Sequence, residues 1–179
     1  MAVVNWANMQ PGFSTVALGV LLACCRPAFG AEKEAQNPDV VRHTAGRWRA
    51  QHRIIDLHQH VDYSPEHLTR AVRIMDRVGI GIEVNLSGGT TTHQEGKPSE
   101  FERNKRLADK LFPARFVHYM NLDYSGWDQP DFSALAVQQI EEGHRLGAAG
   151  FKQFKRLGLT LRDGAGKLLR IDDPRLDPV

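Results

Sequence analysis

Hydrophobic and polar positions fall into a repeating order from residue 54 onward. Ile54, Ile55 and Leu57 open a short apolar stretch. It reads as a strand over residues 54–58, since β-branched side chains suit a pleated, half-buried surface. Leu68, Ala71, Val72, Met75 and Val78 then recur at three- and four-residue spacing, which marks one face of a helix. Ser64 and Pro65 stand where an N-cap and a first helical residue belong, and Gly79 stands where the helix should stop.

The same alternation continues. A second strand is expected over Gly81–Leu86, followed by a Gly/Thr-rich loop from Ser87 to Pro98. Ser99 and Glu102 have capping-box spacing and open a helix that reaches Phe112, where Pro113 ends it. A third strand is expected over Arg115–Asn121. A loop with Tyr124, Trp127 and Pro130 leads to a third helix, capped by Asp131 and closed by Gly147. Ala149–Phe154 reads as a fourth strand. Leu159–Leu161 and Leu168–Ile171 flank Asp163–Gly166 as an inserted hairpin, and Asp173-Pro174 signals a further helix start.

Strand and helix thus alternate four times, which argues for a parallel sheet with crossover helices. An open doubly wound sheet would favour a glycine-rich phosphate turn after the first strand. The chain instead reads HQHVDYSP there. Histidines at the C-terminal end of a first strand suit a barrel, whose active sites sit at that face. The expected fold is α/β: the N-terminal half of a (β/α)8 TIM-type barrel, about four βα units over residues 54–179, preceded by a signal segment.

The stretch before residue 54 is different in kind. Phe13–Cys25 is uncharged and apolar but shorter than the roughly 20 residues of a membrane span. Small residues follow at Ala28–Ala31. The pattern matches a secretory signal over residues 1–30, cleaved after Gly30, although no Lys or Arg precedes the apolar run. Leu21-Leu22-Ala23-Cys24 also fits a lipoprotein signal with a lipid anchor at Cys24; a buried N-terminal helix is the bland reading. Export to a periplasmic or extracellular location is expected. Residues 31–53 read as a polar linker with one short helix around Trp48.

Composition narrows the classes. A net charge of +2 offers no basic face for nucleic acid, and the only cysteines are the adjacent Cys24 and Cys25, so no disulfide framework exists. The 41% hydrophobic and 25% charged content is that of an ordinary globular chain.

Candidate chemistry centres on Asp56, His58 and His60. Strand alternation puts these three on one face, the imidazoles about 6.6 Å apart along the strand. Two such rings can grip one divalent ion, zinc above all. Asp56 would lie one layer deeper and orient a ring from behind the metal. The bland alternative is a chance His-x-His pair on a half-exposed strand. Asn85, Ser87, His93, Asn121 and Asp123 are weaker candidates at the same end, and His118 reads as a satisfied core histidine.

Ile55-Asp56-Leu57-His58-Gln59-His60 resembles the first-strand signature of the amidohydrolase superfamily. Gly150–Leu159 (GFKQFKRLGL) and Asp172–Pro178 (DDPRLDP) resemble the fourth strand and fourth helix start of its amidohydrolase-related branch. The resemblance implies a distorted (β/α)8 barrel. It implies a metal-dependent hydrolase of amide or ester bonds on a small-molecule substrate, or a decarboxylase on the same scaffold. It implies His58 and His60 as metal ligands and Lys152 as a carboxylated lysine bridging two metals, against the plainer reading of Lys152 and Lys155 as a solvent-facing and a paired lysine. It places the catalytic Asp on an eighth strand and further histidines on strands five and six, beyond Val179. A chain with half of such a site is expected to bind metal weakly and to self-associate. The competing readings are a PHP-type phosphoesterase, whose second-strand cluster is not matched by Ile82–Ser87, and a non-catalytic interaction protein.

Overall fold

The computed structural model describes residues 37–93 and 95–179. The expected signal over residues 1–30 and the candidate anchor Cys24 lie outside the described residues.

The first described element is helix α1, Pro38–Ala50. It fills most of the stretch expected as linker. Local signals explain it: Pro38 sits at the start, where its ring suits the first turn, while Asp39 in the first turn and Arg47 and Arg49 in the last complement the helix dipole. None of its residues is buried. The helix therefore owes little to packing, and its sequence has no continuous apolar stripe to reveal it.

Strand and helix then alternate as expected. The order is β1 (Ile54–Gln59), α2 (Pro65–Val78), β2 (Ile80–Asn85), α3 (Glu100–Leu111), β3 (Phe116–Met120), α4 (Phe132–Arg145) and β4 (Gly150–Phe151). The caps are those read from the sequence in two of three helices. Ser64 Oγ accepts from the His67 N–H at the start of α2, and Ser99 Oγ accepts from the Glu102 N–H at the start of α3. Asp131 precedes α4 but makes no side-chain cap bond. Gly79 ends α2 in the left-handed conformation, φ 81°.

The four strands form one parallel, curled half-barrel in the order β1-β2-β3-β4. Beyond β4 the expected hairpin shrinks to a single antiparallel bridge, Arg162 with Leu168. The expected final helix is one 3-10 turn, Pro174–Leu176, capped by Asp173.

Two apolar clusters hold the layers together. Leu68, Ala71, Val72 and Met75 of α2 pack with Ala108 of α3 and Phe116 of β3. Leu122, Trp127, Phe132, Ala136, Leu157 and Leu169 tie α4 to the loop after β3 and to the chain after β4. Each large buried side chain contributes roughly 1.5–3 kcal/mol. Phe116 faces the helices, so its partners in register face them too. The opposite, inner face of the sheet carries Ile55 and Leu57, which are 54% and 72% exposed. No helix among the described residues is long and apolar enough to cross a membrane.

Candidate metal site at the C-terminal end of strand one

Register decides where the candidate residues point. Ile55 pairs with Ile82 and Asp56 with Glu83, yet Gln59 pairs with Asn85. Three steps along β1 match two along β2, so β1 carries one extra residue between Asp56 and Gln59, a β-bulge. Asp56 and Gln59 therefore share the helix-facing side with Glu83 and Asn85. His58 and His60 lie on the inner side. The expectation that alternation sets all three residues on one face is thus corrected by the bulge.

Asp56 does not orient an imidazole. Its Oδ1 accepts the backbone N–H of His58 at 3.0 Å, and its Oδ2 accepts from the Gln59 side-chain amide. Both bonds brace the bulge. Ser87, two residues beyond β2, is the residue that meets a ring: its Oγ lies 2.9 Å from His60 Nδ1.

The two histidines do come together. Their ring centroids are 5.3 Å apart and tilted by 68°. Phe154 stacks on His60 at 5.7 Å. Burial pushes the His60 pKa down, and the charges of His58, Lys152 and Lys155 push the same way. The shift favours the neutral ring, the form that ligates metal. With Nδ1 engaged by Ser87, Nε2 is the donor left over.

Lys152 follows β4, held by its backbone N–H to Met120 O at 2.8 Å and by Asn121 Nδ2 to its own carbonyl at 3.2 Å. It is close enough to act electrostatically on His60. As an ammonium it has no lone pair to give, so it joins a metal only after losing its proton or being carboxylated. Among the described residues, no three His, Cys, Asp or Glu side chains gather in metal-binding range. The donor set is two imidazoles, which fits part of a catalytic zinc site with its usual three protein ligands.

The weaker candidates have structural duties. Asn85 clamps the segment after β1: its Oδ1 accepts from Val61 N and its Nδ2 donates to Val61 O. Asn121 ties Gly89, Leu86 and Lys152 together in the same way. His118 is a satisfied core histidine, between the Tyr63 hydroxyl at 2.8 Å and Asp109 at 3.0 Å. His93 lies at the surface, 3.4 Å from Glu142.

A cavity of about 430 Å³ adjoins the pair, sharing Lys152 and Phe154 with it. Its far walls come from the loop after β3 and from the chain after β4. Sequence reading missed it because those segments meet only in the folded chain; Tyr124 and Trp127 in one short loop were the available signal.

No family model, no curated protein and no solved structure matches this chain. The class that the fold and site define on their own is an α/β half-barrel with an inner-face histidine pair at the C-terminal end of its first strand.

Proposed function

We propose that this chain supplies the first four βα units of a TIM-type, amidohydrolase-like barrel, and that the barrel is a metal-dependent hydrolase of amide or ester bonds. The observation that carries this reading is the His58/His60 pair, 5.3 Å apart, at the C-terminal end of β1 in a curled parallel sheet. That end is where barrels of this architecture put their chemistry.

In this reading His58 and His60 hold a zinc ion. Ser87 fixes the His60 ring through Nδ1, as outer partners of metal-bound histidines commonly do. Phe154 packs against the same ring and restricts its rotation. Burial first, and then the neighbouring charges including Lys152 and Lys155, disfavour protonation of His60. An ion held there would supply Lewis-acid polarisation of a substrate carbonyl and a lowered pKa for a bound water. The carboxylate that would take the proton belongs, by the resemblance, to a later strand.

The test is a zinc titration of the purified chain. Saturable binding, weaker than that of a complete site, is expected, and it should fall at least tenfold in His58→Ala/His60→Ala. The double variant is exposed at both positions and should melt like the parent. Undiminished zinc binding in that variant would sink the metal centre. Zinc-dependent cleavage of p-nitrophenyl acetate that survives His58→Ala would sink the hydrolase role of the pair.

A further inference from the structure

Helix α1 is the one α-helix among the described residues with no buried residue. Val41 and Trp48 are 50% and 48% exposed. They are close to two turns apart, so they share one side of the helix, with Thr44 and Ala45 between them. Arg42 and Arg49 run along one flank of this short seam, and Arg47 stands on the other. None of the three arginines has a carboxylate partner among the described residues. Asp39, the only acid of the helix, lies on the opposite side.

An exposed tryptophan flanked by arginines is the make-up of a helix lying in a membrane interface. Trp favours the boundary between headgroups and acyl chains, and arginine stems reach from there to lipid phosphates. Nucleic acid would satisfy the arginines alone and leave Val41 and Trp48 uncovered. The chain also leads α1 to such a surface. Residues 13–25 are uncharged and apolar, and only residues 26–37 separate them from Pro38. Fully extended, that tether spans roughly 40 Å. At its other end α1 is fixed to the sheet. A Cβ added at Gly79 would stand 2.2 Å from the Arg49 carbonyl oxygen, and one at Gly81 2.0 Å from that of His52. The helix end thus abuts the entry to β2, and β1 begins just beyond it at Ile54.

We infer that α1 is a peripheral anchor for an anionic bilayer, with Val41 and Trp48 in the interface and Arg42, Arg47 and Arg49 against lipid phosphates. Docked so, the N-terminal end of the sheet faces the membrane, and the His58/His60 pair at the other end of β1 faces the aqueous side. So small an apolar seam binds weakly and reversibly by itself, so lipid charge decides the attachment. The anchor stands or falls independently of zinc binding and of hydrolysis.

The experiment is flotation of the full chain with vesicles of phosphatidylcholine alone and of phosphatidylcholine with about one third phosphatidylglycerol. Self-associated protein does not float, so it does not count as bound. Binding to the anionic vesicles should be at least tenfold tighter, and added salt should release it. Arg42→Gln/Arg47→Gln should weaken that binding at least tenfold and keep the parent's circular dichroism, since both residues are exposed. Brominated lipid should quench the tryptophan emission of the parent more than that of Trp48→Phe. Equal binding to both vesicles would assign attachment to residues 13–25 and overturn the anchor. Retention on duplex DNA without flotation would assign α1 to nucleic acid and overturn it too. So would no flotation at all, binding of the double variant within twofold of the parent, or equal quenching in Trp48→Phe.

Discussion

Glu83 is buried on β2, 4% exposed, with Oε1 lacking any hydrogen-bond partner. Burial pushes its pKa up to about 7, the Asp56 carboxylate pushes further, and Arg115 pulls back only in part. An acid whose folded pKa lies above its unfolded one stabilises the fold while protonated. That contribution is whole below the unfolded value of 4.5 and is lost as pH rises through about 7. Glu83→Gln should therefore change little at pH 4.5 and stabilise the chain at pH 8.5, by up to about 3 kcal/mol for a shift of this size. Thermal melts of parent and variant across that range check it; a stability gap that does not widen with pH would refute it. The sequence flagged Asp56 as a residue behind the histidines. Its actual neighbours, Glu83 and Gln59, follow from a bulge that no local pattern announces.

At the scale of elements, glycines report how tightly helices sit. Gly143 of α4 lies against Met120 of β3: a Cβ there would stand 2.1 Å from its Sδ and 3.2 Å from its Cγ. Met120 is 1% exposed, so its side chain must repack within the core to make way. Gly143→Ala should destabilise by about 1–3 kcal/mol, overpacking outweighing the better helix propensity. Gly46 of α1 has nothing within 4 Å of an added Cβ. Gly46→Ala should stabilise by roughly 0.5–1 kcal/mol, the plain propensity gain. Urea unfolding of the two variants tests the contrast, and it fails if both shift the same way. Four strands and three helices were legible because apolar spacing and caps are local. Helix α1 was less legible because it buries none of its residues.

For the whole molecule, the sheet ends at β1 and at β4, each paired on one side only among the described residues. Unpaired edges invite further strands, and the inner face beside β1 shows Ile55 and Leu57 to solvent. The chain should self-associate as concentration rises, and Leu57→Asp should shift it toward monomer without unfolding it, since Leu57 is 72% exposed. Sedimentation equilibrium decides this; a parent that stays monomeric, or a variant that associates equally, would exclude the inner face as the contact.

The sequence by itself determined the order and approximate bounds of the elements, most of their caps, and the nearness of His58 to His60. These depend on residues a few positions apart. Tertiary structure alone decided which face each candidate occupies, that Ser87 and not Asp56 meets an imidazole, and that Lys152, Arg156 and Trp127 share a cavity. Those facts rest on strand register and on contacts between segments tens of residues apart. One added residue in β1, after Asp56, set the histidines on the other face from Asp56 while leaving the local pattern intact.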